Sequence, residues 1–145
     1  MNTKKLTLNE AFASGLKNHQ LNKFRDAENF YKYVLKKAPS HFGSVFYLGT
    51  LYLQTNKLGL AKRLLKKAVL IKPDFVEAYN NLGATLKGLG EYNEAAKYLQ
   101  KALQIKPEYV DAYSNLGAVL NIVGEYQQAK KYLEKAIKIK PKFLN

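Results

Sequence analysis

Two asparagines at matching places have the clearest capacity for binding chemistry in this chain. Asn81 and Asn115 stand 34 residues apart, within the segments AYNNLG and AYSNLG. A carboxamide carries both donors and an acceptor, so it can pair with a peptide group whatever the peptide's sequence. The pair therefore favours binding of a polypeptide backbone. The alternative left open is that both amides bond within the protein or to water.

Residues that would support catalysis are not arranged for it. His19 and His41 have no acidic residue at a spacing that suggests a dyad, and we predict that both lie on the surface. Gly83, Gly88 and Gly90 resemble a phosphate loop but lack its Gly-Lys-Ser/Thr ending. The chain has no cysteine, which excludes disulfides and thiolate metal sites. We predict a protein that is not an enzyme and has neither cofactor nor metal.

The elements that carry these residues follow a fixed period. The chain of 145 residues has four prolines, each 34 residues after the one before, at Pro39, Pro73, Pro107 and Pro141. A period of this length is typical of stacked copies of one supersecondary unit. We number the positions of a repeat from 1 to 34, with proline at position 32. The repeats then span residues 8–41, 42–75, 76–109 and 110–143.

Each repeat contains two amphipathic stretches with apolar residues at helical spacing. In the third repeat Leu82 and Leu86 belong to the first stretch, and Leu99 and Leu103 belong to the second. Position 8 is always glycine and position 20 is always alanine, so the two helix axes can approach closely. The sequence therefore predicts four helical hairpins.

The ends of the helices also have sequence signals. Position 15 reads Asn22, Asn56, Gly90 and Gly124, the residue types that best tolerate a left-handed backbone, which predicts a tight turn between the two helices. Proline at position 32 ends the second helix. Ser40 and Asp74 come next and are predicted to cap the following helices, and Asp74 with Glu77 has the spacing of a capping box.

The pattern of Tyr79, Leu82, Gly83, Ala95 and Ala102 before Pro107, which recurs 34 residues later, resembles the tetratricopeptide repeat. The resemblance covers residues 8–143. It implies an all-α fold, a right-handed α-solenoid of four tandem helix-turn-helix hairpins. Residues 1–7 would be an N-terminal extension, 8–143 a single domain, and 144–145 the start of a truncated fifth unit.

In this family the first helices line a concave groove that binds an extended peptide, so the resemblance places positions 2, 5, 6, 9, 12 and 13 there. Asn81 and Asn115 at position 6 resemble the asparagine ladder in the repeats of O-linked N-acetylglucosamine transferase. Ala13 and Tyr47 occupy this position in the first two repeats, so the ladder has two rungs. The predicted groove residues are Phe12, Phe46, Tyr47, Thr50, Asn80, Asn81, Lys87, Ser114, Asn115 and Asn121.

The two halves of this groove differ in chemical character. Phe12, Phe46 and Tyr47 predict apolar anchors for a ligand in the first half, unless Phe12 and Phe46 pack against each other along the stack. Glu77 and Asp111 at position 2 predict an acidic lip that selects a basic ligand. Alternatively, each acid serves the dipole at the start of its own helix.

The net charge of +13 lies almost wholly on the second helices, which the resemblance places on the convex side. The densest cluster is Lys62, Arg63, Lys66 and Lys67, and its counterpart two repeats later is Lys130, Lys131, Lys135 and Lys138. This surface is either a solvated face or a binding surface for nucleic acid or anionic lipid. No aromatic residues alternate with these lysines as single-strand binding would favour.

The sequence breaks off at Asn145, where a fifth repeat would begin. We predict that Leu133, Ala136 and Ile137 form an uncovered face on the last helix that supports self-association. Alternatively, the chain is the N-terminal targeting part of a longer enzyme, as in bacterial glycosyltransferases and sulfotransferases with such repeats. The main prediction is a cytoplasmic scaffold that binds a protein or peptide partner.

Overall fold

A computed structural model of the protein describes residues 5–140, and within them it contains eight α-helices and no strand. The all-α fold of tandem helical hairpins predicted from the sequence is confirmed. Residues 1–4 of the predicted N-terminal extension and the predicted start of a fifth unit at 144–145 lie outside the described residues, as do Pro141 and Phe143. The helices are α1 (Leu8–Gln20), α2 (Phe24–Lys37), α3 (Phe42–Gln54), α4 (Leu58–Ile71), α5 (Val76–Gly88), α6 (Tyr92–Ile105), α7 (Val110–Ile122) and α8 (Tyr126–Ile139).

The turn within each hairpin has the predicted left-handed residue. Asn22 and Asn56 have φ of 58° and 60°, and Gly90 and Gly124 have φ of 78° and 89°. A left-handed residue lets the chain reverse after a helix while its amide still bonds back to the last turn. At the first turn, the amide of Asn22 donates to the carbonyl of His19 over 3.0 Å.

The recurrence of glycine at position 8 of every repeat has a direct packing cause. A Cβ on Gly83 would lie 2.5 Å from Cγ of Leu99, and a Cβ on Gly15 would lie 2.7 Å from Cε1 of Tyr31. Both distances are shorter than carbon atoms tolerate. Position 8 is therefore glycine because a large side chain at position 24 of the second helix packs directly on the backbone of the first.

The prediction of the helix caps is wrong at two positions. His41 rather than Ser40 is the N-cap of α3, and its Nδ1 accepts from the amide of Ser44 over 3.1 Å. The N-cap of α5 is Phe75, without a side-chain cap, so Asp74 lies one residue too early for a capping box with Glu77. A capping box does form at α1, between Thr7 and Glu10.

The chain groups into two compact units, of which the first ends at Lys72 and the second begins at Pro73. In the first unit, α2 packs against both α1 and α3, α3 also packs against α4, and α1 contacts α3. Its core includes the fully buried Tyr31, Leu51 and Leu65. The single-domain arrangement predicted from the sequence stays a prediction.

The second unit repeats this packing with α5, α6, α7 and α8. Leu82, Leu99 and Leu116 are fully buried in its core. In both units the first helices of successive repeats lie side by side, so residues from the two helices meet on one face. None of the helices within residues 5–140 is long and apolar enough to cross a membrane.

Candidate protein-binding faces

The first helices of the second unit, α5 and α7, share a polar network. Nδ2 of Asn115 donates to Oδ1 of Asn80 over 3.0 Å, and Nζ of Lys87 donates to Oδ1 of Asn115 over 3.3 Å. Asn80 is buried, with 6% of its surface exposed, whereas Asn115 and Lys87 are half-buried. Three of the predicted groove residues are thus brought together on the α5–α7 face.

The remaining predicted residues of this face differ in exposure. Ser114 and Asn121 are exposed on α7, and Asn81 is half-buried on α5. The partner of Asn115 in α5 is Asn80, at position 5, and not the position-6 residue Asn81. The amide of Asn115 therefore has intramolecular partners, and its role in holding a ligand backbone stays a prediction.

Glu77 and Asp111 lie in the first turns of α5 and α7. Burial raises the pKa of Tyr109 to about 12, and the negative charges of Glu77 and Asp111 contribute to the same shift. Both carboxylates are therefore close enough to Tyr109 to act on its phenol. This position also fits favourable interaction with the helix dipoles, so the acidic lip stays a prediction.

The corresponding face of the first unit, formed by α1 and α3, is aromatic. The ring of Phe12 lies 4.9 Å from that of His41 and 6.1 Å from that of Tyr47, and Tyr31 stacks 6.4 Å from Tyr47. Gly43 leaves the space that Phe12 fills, since a Cβ there would lie 2.5 Å from Cζ of Phe12. Of the three predicted anchors, only Tyr47 is exposed, at 36%.

Phe46, predicted to be an apolar anchor unless it packs along the stack, is covered by neighbouring rings. It stacks parallel to Phe42 at 5.9 Å and meets Tyr47 edge to face at 5.0 Å, and only 6% of its surface is exposed. Because neighbouring rings cover it, Phe46 presents little surface to a ligand. Phe12 and Thr50 are half-buried.

His19 is a correction, because it is half-buried and not a free surface residue. Its Nδ1 lies 2.9 Å from the hydroxyl of Tyr31, and its Nε2 lies 2.6 Å from Oε1 of Gln54. Because Oε1 of Gln54 can only accept, Nε2 donates to it, and in the singly protonated ring Nδ1 then accepts from the hydroxyl of Tyr31. A signal for this contact was present, since position 24 is tyrosine in the first repeat and leucine in the others.

The predicted uncovered face on the last helix needs a correction as well. Leu133 and Ile137 are 38% and 65% exposed, but Ala136 is buried with 6% exposed. Position 27, which is Val34, Ala68 and Ala102 in the earlier repeats, is buried in those repeats as well. Residues 5–140 hold no group of three His, Asp or Glu side chains arranged to bind a metal ion.

The basic clusters lie on α4 and α8, as the assignment to second helices predicts. On α4, Arg63 is exposed, and Nζ of Lys67 donates to the carbonyl of Pro39 over 2.6 Å. On α8, Nζ of Lys135 lies 5.5 Å from the ring centre of Tyr113. Lys67 and Lys135 therefore contribute to packing as well as to charge.

Comparison with protein families identifies the repeats. One tetratricopeptide repeat model matches residues 74–142, and a second matches residues 19–86. A search of curated proteins found no match.

Among solved structures, the chain is similar to a MamA protein at 33% identity and a TM-score of 0.86, covering 92% of this chain and 73% of that one. A further MamA structure has 35% identity, a TM-score of 0.82, and coverage of 88% and 74%. A MamA fragment from Desulfovibrio magneticus RS-1 has 22% identity and a TM-score of 0.88 over 94% and 77%, and shows the fold alone. The finer likeness to O-linked N-acetylglucosamine transferase repeats gains no support and stays a prediction.

Proposed function

Because the chain belongs to the tetratricopeptide repeat family, we propose that it is a protein-interaction module that binds an extended segment of a partner protein on its first-helix faces. The observation that best supports this proposal is the polar network on the α5–α7 face. A hydrogen-bonded network connects Asn80, Lys87 and Asn115 on this face. Packing of an apolar core does not require such a network.

This face suits recognition of a backbone. Two exposed polar residues of α7, Ser114 and Asn121, are seven residues apart and so lie on the same side of the helix. The carboxamide of Asn115 beside them makes one bond as a donor and one as an acceptor. It retains unused capacity, since an amide can make up to four hydrogen bonds. In the first unit, Tyr47 supplies an exposed aromatic surface, a residue type enriched in binding hot spots.

A blocking experiment tests this function without disturbing the core. Ser114→Arg with Asn121→Arg would cover the α7 side of the face with two long side chains, and both parent residues are exposed. We expect loss of binding to an array of random dodecapeptides, with the melting temperature unchanged. A matched control, Gln104→Arg with Gln127→Arg, adds the same charge on exposed positions of α6 and α8. Equal binding by the two variants would contradict the proposal.

A second candidate function rests on α4, which carries Lys62, Arg63, Lys66 and Lys67 and no acidic residue. Such a helix face favours a polyanionic partner. Binding of a nucleic acid or of anionic vesicles should then fall steeply between low and physiological salt, and should be lost when these four residues are neutralised. Binding that is insensitive to salt would rule against this candidate.

A further inference from the structure

The first unit contains an apolar cavity on the side formed by its second helices. This α2–α4 cavity lies between α2 and α4, above α3, and has a volume of about 320 Å³. Leu48 and Tyr52 of α3 form its base and are 3% and 4% exposed, and the half-buried Leu35 and Leu64 form its walls. None of these residues belongs to the first-helix faces, so the cavity is a separate surface feature.

The apolar character of the cavity is not a requirement of the repeat. Its rim includes Leu60, at position 19, which is 44% exposed. The same position is polar in the other three repeats, where it reads Asp26, Glu94 and Gln128. Single exposed leucines are common on protein surfaces, but Leu60 adjoins an apolar cavity and extends it to the surface. Packing within the repeat does not explain this leucine, whereas an apolar ligand does.

The rim of the cavity is cationic, with Lys32 on α2 and Arg63 on α4. The carboxylate of Glu28 is already occupied, since Nζ of Lys32 lies 2.7 Å from it and the hydroxyl of Tyr52 donates to it. Arg63 is exposed, α3 and α4 contain no acidic residue, and no carboxylate within residues 5–140 pairs with the guanidinium. The charge of Arg63 is therefore open to a carboxylate from outside, which a guanidinium can bind through two parallel hydrogen bonds.

The size of the cavity favours a side chain over a whole small molecule. Sites for drug-sized ligands range from roughly 300 to 1,000 Å³ and enclose most of the ligand. At about 320 Å³ the α2–α4 cavity is at the lower end of that range and has room for one large apolar group. Apolar side chains that fill such pockets supply much of the binding energy in protein complexes.

We propose that the α2–α4 cavity receives a large apolar side chain of a partner protein, and that a carboxylate close to that side chain pairs with Arg63. The partner segment is therefore acidic and carries an apolar anchor. This surface is separate from the first-helix faces, so its partner is independent of the one proposed for them.

Dodecapeptides of defined composition provide the probe. Each has one Phe, Leu or Trp flanked by two Glu residues in a background of Ser and Gly, and its binding is measured by fluorescence anisotropy. We expect binding to the full chain and to its Ser114→Arg, Asn121→Arg double variant, in which the α7 side of the first-helix face is blocked. Replacing the apolar anchor with Ala, or both Glu residues with Gln, should weaken binding roughly tenfold.

Two substitutions in the protein test the two parts of the site. Leu60→Gln installs the residue found at position 19 of the fourth repeat, and Arg63→Gln removes the unpaired charge. Each should weaken binding of these peptides roughly tenfold. The matched controls are Leu70→Gln, on the same helix and 80% exposed, and Lys131→Gln, which is exposed at the position of Arg63 in the fourth repeat. Both controls should bind as the parent chain does, and thermal melting establishes that all four variants are folded.

The outcomes distinguish the cavity from the other candidate surfaces. Weaker binding in both Leu60→Gln and Arg63→Gln, with both controls unchanged, supports the site. Equal binding by Leu60→Gln and Leu70→Gln overturns it, because the apolar cavity then contributes nothing and any effect of Arg63 is one of general charge. Loss of binding in the Ser114→Arg, Asn121→Arg double variant assigns the peptides to the first-helix face, which overturns the cavity site and leaves the proposed function standing. Failure to bind any of these peptides also overturns the cavity site alone.

Discussion

Phe12, His19 and Tyr47 in the first unit occupy the same repeat positions as Asn80, Lys87 and Asn115 in the second, namely 5, 12 and 6 of the next repeat. In the first unit they form an aromatic cluster, with the rings of Phe12 and His19 within 6.1 and 6.3 Å of Tyr47. In the second they form a hydrogen-bonded amide network. One backbone geometry thus supports two kinds of surface.

The residue beneath each face shows how the difference arises. Position 24 is Tyr31 in the first repeat and Leu99 in the third, and both are fully buried against the glycine at position 8. The phenol of Tyr31 reaches His19, whereas leucine has no polar group to offer. A single core residue therefore alters which side chains on the face above it have a hydrogen-bond partner in the core.

The core below both faces should be equally sensitive, which gives the largest expected effect. Leu48 and Leu82 occupy position 7 in the two units and are 3% and 0% exposed. Replacing either by Ala leaves a cavity and should lower the free energy of unfolding by about 2 to 5 kcal/mol. Urea denaturation measures this. A loss below about 1 kcal/mol in one variant would show that its unit repacks freely.

Tyr31→Leu would give the first repeat the core residue of the third. We expect a loss of about 2 kcal/mol, because the variant removes ring contacts with Phe12 and Tyr47 and leaves Nδ1 of His19 without its donor. Tyr126→Leu, at a site that is 67% exposed, is the matched control and should be nearly neutral. Similar losses in both variants, again from urea denaturation, would contradict the role given to Tyr31.

Asn115→Ala tests the amide network directly. It leaves the buried oxygen of Asn80 without a donor and should cost about 1 to 2 kcal/mol. Ser114→Ala, on the neighbouring exposed residue, should change the unfolding free energy by less than about 0.5 kcal/mol. If the two variants melt at the same temperature, the network contributes no stability.

The smallest expected effect is a pH dependence in the first unit. The hydrogen bond from Lys32 lowers the pKa of Glu28 below its ordinary 4.5, against a smaller opposing effect of burial, and Lys32 lies 2.7 Å away. A lowered pKa means that the charged form contributes stability above pH 4.5 and that this contribution is lost as the pH falls through the folded value.

Glu28→Gln removes the charge and keeps an acceptor for Tyr52, whose hydroxyl donates to Glu28 over 3.2 Å. The parent chain should exceed the variant in unfolding free energy by about 0.5 kcal/mol at pH 7, because the pair is partly exposed. The difference should shrink at pH 3. Denaturation curves at both pH values check this, and an undiminished difference at pH 3 would assign the effect to packing.

Much of the fold followed from residue types at fixed positions. Gly83 lies where the side chain of Leu99 packs directly on the backbone. Asn22 has the left-handed conformation that the turn between two helices requires. The caps were predicted less well, because Asp74 would have had to lie at residue 75 to cap α5. A shift of one residue is enough to move a side chain out of reach of the first helical amides.

The sequence predicted which residues lie on each face but not how these residues contact one another. The sequence placed Asn80, Lys87 and Asn115 among the groove residues, yet it gave no sign that they bond to one another. It left open whether Phe46 packs along the stack or faces a ligand, and it did not predict that His19 links Tyr31 to Gln54.

The sequence by itself determined the period, the hairpins and the close approach of their helices, because each depends on local backbone preference or on one contact repeated along the chain. The tertiary structure decided the chemistry of each face. Lys87 is 28 residues from Asn115, and Asn80 is 35 from it, so their bonds form only when two first helices lie side by side. Hydrogen bonding and ring packing at such separations depend on distances of a few tenths of an ångström, which residue type alone does not specify.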